Sequence, residues 1–204
     1  MISTEHPLCL GSASPRRRQL LEALGLAIRI AHPSVDEQVD AAETAESYLK
    51  RVVDDKLRSV AGAASVCASC AALLVADTIV VIGGRILGKP ADVDAAVALL
   101  RDLVGREHLV YTRYAIAACG DFHRPIATRT VSTRVKMRRA SAEELERYAR
   151  TGEGLDKAGA YAAQGIGAFL VEGIIGSYTN VIGLPVCEVV IDLVETGVLE
   201  AFPG

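Results

Sequence analysis

Two hydrophobic periods alternate along the chain. Short unbroken apolar runs read as buried strands, and stretches with apolar residues three and four apart read as amphipathic helices. Residues 7–10 form the first strand. Leu20, Leu21 and Leu24 then mark a helix that Pro15 can open and Gly25 can close. Residues 26–31 read as a second strand, broken by His32-Pro33-Ser34. Residues 44–60 carry the clearest helical stripe, Leu49, Val52, Val53, Leu57 and Val60 at i, i+3, i+4, i+8 and i+11. A small, Ala-rich connection over 62–70 leads to an apolar strand at 71–76. Asp77 ends that run, Thr78 follows, and 79–82 resumes it before a hairpin turn at Gly83-Gly84-Arg85.

The second half continues the alternation. Residues 93–104 form an amphipathic helix stopped by Gly105. Two long strands, 107–118 and 125–138, flank a polar turn at 120–124. Residues 141–150 open with Ser141 and Glu144, a capping box, and read as a surface helix. The glycine-rich stretch 152–167 reads as a loop, 168–175 as a strand and 176–180 as a turn. Pro185 starts a final helix reaching about Glu195. Strands interleaved with helices predict an α/β fold.

The totals narrow this picture. The chain has 204 residues, half of them hydrophobic, which suits one large domain, 1–204, or one domain with two lobes. A net charge of −3 disfavours general nucleic-acid binding, so a basic cluster should be a local site. No apolar run approaches the roughly 20 residues of a membrane span. The first residues, MISTEHPLCL, lack signal-peptide features, and a cytoplasmic location is expected. Cys67 and Cys70 form a lone CASC without the second pair a metal site needs, and read as small apolar side chains.

The densest chemistry lies in residues 10–21, LGSASPRRRQLL. A helix start exposes N–H groups and a partial positive charge, so acids are favoured in its first turn. Here Arg16, Arg17 and Arg18 stand there instead, which destabilises the helix unless an anion binds. Ser12 and Ser14 can cap it through their hydroxyls. Strand, small-residue turn and helix start suit phosphate. Arg18 reads as solvated surface; Arg16 and Arg17 are either surface or anion ligands, and this stretch alone does not decide.

Further charged positions extend the pattern. Lys56 falls inside the apolar stripe of its helix. It either snorkels to the edge or points its ammonium into an anion-binding cleft. Asp77, between two apolar runs, must be paired, metal-bound or exposed at a strand end, where α/β sheets bind ligands; the alternative is a turn-forming aspartate. Lys89 follows the hairpin and can return to the same cleft. Asp36 and Asp40 read as solvated, and Glu37 matters only if it faces the arginine turn. Asp156, Lys157 and Gln164 are the groups of the glycine-rich stretch able to recognise a ligand. His108 and His123 are too isolated to be metal ligands. There is no G-x-x-x-x-G-K-[ST] and no dinucleotide fingerprint. Composition and spacing lead to a phosphate-handling α/β protein and no further.

Four motifs go further. SASPRRRQLL, ADTIVVIGGRILGKP, LDKAGAYAAQG and GSYTNVIGLP occur in this order across nearly the whole chain. Together they resemble the Maf family of nucleoside-triphosphate pyrophosphatases. The resemblance implies a two-lobed α/β fold with a mixed central sheet flanked by helices, similar to inosine-triphosphate pyrophosphatase, and an active-site cleft between the lobes. It implies cleavage of a nucleoside triphosphate between the α and β phosphates with a divalent metal, Mg²⁺ or Mn²⁺. Asp77 matches the family's general base. Arg16, Thr78 and Gln164 match positions linked to substrate choice. Ser12, Arg17, Glu37, Lys56 and Lys89 match other residues of the family's cleft, the basic ones and Ser12 as phosphate ligands and Glu37 with Asp77 as metal ligands.

One branch of the family takes dTTP and UTP, the other 7-methyl-GTP. The pair Gln164-Gly165 and the GSYTNV turn look like the first branch. CTP and modified pyrimidine nucleotides are further expected substrates, and roles in excluding non-standard nucleotides and in cell division go with the resemblance. A homodimer is expected on the same ground; nucleic-acid and membrane partners are not. Gly154-Leu155 departs from the family, where a proline often stands, and predicts a looser loop. Rival readings are an enzyme for 7-methyl-GTP or ITP, and a nucleotide-binding regulator of septum formation.

Overall fold

The structure, a computed structural model, describes residues 1–40, 42–62, 69–118 and 120–203. In chain order the elements are β1 (Leu8–Gly11), α1 (Pro15–Ala23), β2 (Ile28–Ala31), α2 (Ala45–Gly62), β3 (Ala72–Ile82) and β4 (Arg85–Leu87). Then come α3 (Val93–Leu103), β5 (Glu107–Ala118), β6 (Pro125–Met137) and α4 (Ala142–Arg150). Two 3-10 turns, Ala158–Ala160 and Gly165–Leu170, precede β7 (Val171–Ile175), α5 (Tyr178–Ile182) and α6 (Val186–Glu195).

The seven strands form one sheet in the order β2-β1-β3-β5-β6-β7, with β4 paired to β3. β1 runs parallel to both β2 and β3, whereas β4 is antiparallel to β3 and β7 to β6. The sheet is therefore mixed, as the family resemblance implies, in an α/β fold that the alternating pattern predicts. Two compact units share the chain: Met1–Asp77 with Thr112–Thr130 and Gly183–Gly204, and Thr78–Tyr111 with Val131–Ile182. Among the described residues, no helix is long and apolar enough to cross a membrane.

The first unit packs α2 onto its strands. Val53, Leu57 and Val60 join Cys9, Leu73, Val75, Ala115 and Ala117 in one buried cluster. Gly11 permits this approach, because a Cβ there would lie 2.7 Å from Val75 Cγ1 and 3.1 Å from Val60 Cγ2. Cys70 is buried in the same cluster, in line with an apolar role; Cys67 and most of the 62–70 connection lie outside the described residues. The core of the second unit joins Ala96, Val97, Leu100 and Leu103 of α3 to Leu145, Tyr148 and Ala149 of α4. Both helices are capped by side chains: Asp92 accepts from the N–H of Ala95 at 2.8 Å, and Ser141 with Glu144 completes the expected capping box.

Several boundaries differ from the sequence reading. β3 does not stop at Asp77 but runs through it as one 11-residue strand. What ends there is its neighbour, since the β1 pairing finishes at Gly11 opposite Val75. The 3-10 turn Gly165–Leu170 replaces the start of the expected strand, leaving β7 to begin at Val171. Part of the expected 176–180 turn is helical, as α5. The Gly83-Gly84 turn is confirmed, with φ of +56° and +81° between the paired Ile82 and Arg85.

Candidate active site

The first unit holds six of the sequence-predicted residues, Ser12, Arg16, Arg17, Glu37, Lys56 and Asp77. Pro15 opens α1, whose first turn contains no acid. Ser14 occupies the cap position, but its hydroxyl makes no cap hydrogen bond. Ser12 is turned to another use: its Oγ accepts from the Ser14 N–H at 3.2 Å and from Arg17 Nη1 at 3.0 Å. Arg17 is buried and also donates from Nε to the Gly183 carbonyl at 2.8 Å. Its guanidinium is thus fixed by both ends of the unit's sequence. Burial lowers its pKa, while the charges of Asp77 and Glu37 oppose that shift. An arginine so placed stays protonated at any physiological pH. Arg18 is solvated, pairing with Glu22 one turn on. Arg16 is half-buried, and its charge is felt at Arg17.

Lys56 does not snorkel. Its side chain is only 5% exposed, and its Nζ lies 2.6 Å from Asp77 Oδ1 and 2.7 Å from Glu37 Oε1. It also approaches the Ala76 carbonyl at 3.4 Å. A buried aspartate in mid-strand needs such a partner, because an unpaired buried carboxylate is strongly unfavourable. Glu37 reaches the cluster from the loop before α2. That loop is tied down from α2: the Tyr48 hydroxyl donates to the Glu37 carbonyl at 3.0 Å, and Arg51 donates to the carbonyls of Asp36 and Gln38. Burial raises the Tyr48 pKa, and the charges of Asp77 and Glu37 add to it. Asp36 and Asp40 remain exposed, as expected.

Thr78, Lys89 and Gln164 belong to the second unit. Thr78 is half-buried on β3, Lys89 is exposed after β4, and Gln164 is exposed immediately before the 3-10 turn Gly165–Leu170. The glycine-rich stretch is not a loose loop. Gly159, Ala160, Tyr161, Ala162 and Gly167 are buried within it. Gly154 does not loosen it either: a Cβ there would lie 2.0 Å from the Ala160 carbonyl oxygen, so glycine is what lets the two backbones meet. Lys157 is not presented to a ligand, its Nζ being bonded to the Glu153 carbonyl and to Asp156. A separate hollow of about 270 Å³, lined by Glu144, Arg147, Tyr148, Thr151, Ile166 and Phe169, holds none of the predicted site residues.

Sequence reasoning missed Gly183, Tyr48, Arg51 and Glu153. Gly183 acts through its carbonyl, which no side-chain pattern reveals. Glu153 stands in the glycine-rich stretch that reads as a loop, and its partners there are backbone N–H groups of Ile166 and Gly167, which leave no side-chain signal.

The arrangement can hold and transfer charge. Three cations (Arg16, Arg17, Lys56) less two carboxylates (Asp77, Glu37) leave one net positive charge. That falls well short of a triphosphate's charge and leaves a role for a divalent cation. Among the described residues no group of three or more His, Cys, Asp or Glu could hold a metal. Two carboxylates are nevertheless a fitting donor set for Mg²⁺ or Mn²⁺, which take one or two carboxylates together with substrate phosphates.

The family model of Maf-like proteins matches residues 7–196. The chain is 45% identical over 190 residues to a dTTP/UTP pyrophosphatase of Myxococcus xanthus (strain DK1622), covering 93% of this chain and 92% of that protein. It is 42% identical over 191 residues to one of Hahella chejuensis (strain KCTC 2396), covering 94% and 92%. A third, from Methylobacillus flagellatus (strain ATCC 51484 / DSM 6875 / VKM B-1610 / KT), is 43% identical over 199 residues, covering 96% and 94%. With the family model and these relatives spanning nearly its whole length, the chain belongs to the Maf-like protein family.

Proposed function

We propose that this protein is a nucleoside triphosphate pyrophosphatase that hydrolyses dTTP and UTP to the monophosphate and pyrophosphate. The observation that carries the reading is the buried Lys56–Asp77 pair beside the arginine-rich start of α1. It stands in a chain 40–45% identical to proteins named dTTP/UTP pyrophosphatase.

In this reading Asp77 is the proton acceptor. Lys56 holds one of its oxygens, which orients the carboxylate. As water attacks the α-phosphorus, its proton passes to Asp77 and the bond to the bridging oxygen of the β-phosphate breaks. Negative charge then grows on the departing pyrophosphate. Arg17, held by Ser12 and Gly183, offsets that charge with no reorganisation, and Arg16 and Lys89 add to the field. Asp77 and Glu37 would hold a Mg²⁺ or Mn²⁺ ion, which supplies Lewis-acid polarisation of the phosphate. Gln164 offers a donor and an acceptor on one planar amide, matching the O4 and N3–H edge of uracil and thymine. Thr78 and Arg16 are the other positions assigned to substrate choice.

The test is pyrophosphate release from dTTP and UTP by wild type and Asp77→Asn. Asn keeps the shape and removes the base, so turnover should vanish while the far-UV circular dichroism is retained. Near-wild-type hydrolysis by that variant rejects the role given to Asp77.

A further inference from the structure

Glu153 lies in the turn after α4, and its carboxylate is used entirely within the second unit. Oε1 accepts from the Ile166 N–H at 2.9 Å, and Oε2 accepts from the Gly167 N–H at 2.7 Å and the Tyr148 hydroxyl at 2.9 Å. Tyr148 Oη in turn accepts from the Ala162 N–H at 3.1 Å. The backbone is thus gripped two residues before Gln164 and two and three residues after it. Burial would push the Glu153 pKa up, but the N–H groups of Gly167 and Ile166 and the Tyr148 hydroxyl together hold it below the ordinary value. It therefore works as a carboxylate. The fit is close: a Cβ on Gly165 would lie 2.3 Å from Glu153 Oε1, and one on Gly167 would lie 2.4 Å from Tyr148 Oη. Gly165 also has φ of +68°, a conformation that favours glycine, immediately after Gln164.

We propose that Glu153, working with Tyr148, is a positioning residue for pyrimidine recognition: it clamps the backbone on both sides of Gln164 and so fixes where that side-chain amide is presented. This rests on the reading of Gln164 as the base-recognising residue. Glu153 needs no contact with substrate; it acts through the backbone it holds. A polar side chain on an unclamped loop would spend its hydrogen bonds on water and select poorly between bases.

The measurement is KM and kcat for dTTP and UTP, with the inhibition constant of inorganic tripolyphosphate, which has no base, as the internal reference. Glu153→Ala should raise KM for both nucleotides by about tenfold, the scale of one misplaced hydrogen bond. Tripolyphosphate inhibition should stay within about twofold of wild type, because the phosphate ligands are untouched. Glu153→Gln keeps one acceptor oxygen and should fall between wild type and Ala. Tyr148→Phe removes only a hydroxyl and should behave like Gln, so this pair carries the test if the Ala variant does not fold. Gln164→Ala should raise KM similarly, and the double variant Glu153→Ala/Gln164→Ala should be no worse than Gln164→Ala alone.

Equal loss of tripolyphosphate and nucleotide binding would show a general structural role and overturn the proposal. So would full additivity with Gln164→Ala, or wild-type KM in all the Glu153 and Tyr148 variants. If the wild-type protein hydrolyses neither dTTP nor UTP, the functional reading falls and takes this proposal with it. If it hydrolyses both and only the Glu153 variants are unchanged, the proposal alone falls.

Discussion

Replacing Lys56 by methionine removes an ammonium and keeps most of the side-chain volume, so it isolates the electrostatic part of the cluster. The ammonium sits 2.6 Å from Asp77 Oδ1 and 2.7 Å from Glu37 Oε1, and the three side chains are 5%, 10% and 37% exposed respectively. Glu37 is open enough for water to replace its partner, so its share is discounted. Asp77 is not. Stripping one member from a buried ion pair leaves an uncompensated charge and destabilises by about 3–5 kcal/mol. The low end applies here, about 3 kcal/mol, because Arg17 still attracts Asp77. Asp77→Asn alone should be milder, since Lys56 keeps Glu37 and the Ala76 carbonyl. In the double variant the neutral pair should recover much of the loss, giving a coupling of about 2–3 kcal/mol. The chain has no tryptophan, so the assay is urea unfolding followed by far-UV circular dichroism, with the slope checked for constancy. Single-variant losses that add to within about 0.5 kcal/mol would refute the buried pair.

Four further outcomes follow from the geometry. His108 is buried against the Tyr161 hydroxyl at 2.8 Å, and burial lowers its pKa to about 4. Its neutral form is favoured in the fold, so its contribution is complete above about pH 6.5 and fades as pH falls towards 4, by at most about 3 kcal/mol; an acid unfolding limb unchanged in His108→Phe would contradict this. Gly154→Ala drives a methyl into the Ala160 carbonyl and should destabilise by about 1–3 kcal/mol in the same urea assay, where a neutral result would show that the loop yields. Arg17→Met should lower kcat/KM by about 100-fold or more, while Arg18→Ala stays near wild type; comparable losses at both would remove the distinction between the buried and solvated arginines. Gln164→Glu should weaken dTTP and UTP use relative to other nucleotides, and unchanged selectivity across a nucleotide panel would remove Gln164 from base recognition.

The sequence was most legible where a period or a cap dictates local structure. The stripe of Leu49, Val52, Val53, Leu57 and Val60 identifies α2 and its buried face, and Ser141 with Glu144 marks the start of α4. Lys56 stands out as a charge within that stripe, and Asp77 as a costly buried acid, but nothing local joins the two, because Asp77 lies 21 residues away on another element. Asp77 reads as paired, metal-bound or exposed at a strand end; the structure pairs it with Lys56, in mid-strand rather than at an end. A lysine on α2 lets β3 run straight through it, and nothing local to residues 71–82 shows that lysine. Arg17 and Gly183 are 166 residues apart and meet through a backbone carbonyl, which leaves no side-chain signature. The stretch 152–167 reads as a loop because glycine usually means backbone freedom. Here several glycines serve close approach instead, at Gly154 to Ala160 and at Gly167 to Tyr148 and Ala162.

The most direct test of the central claim is pyrophosphate release from a panel of dTTP, UTP, CTP, 7-methyl-GTP, ITP and the common nucleoside triphosphates, with Mg²⁺ or Mn²⁺, by wild type and Asp77→Asn side by side. The account predicts strong turnover of dTTP and UTP by wild type and none by the variant. Turnover confined to 7-methyl-GTP or ITP would contradict the pyrimidine assignment, and equal turnover by a folded Asp77→Asn protein would contradict the mechanism.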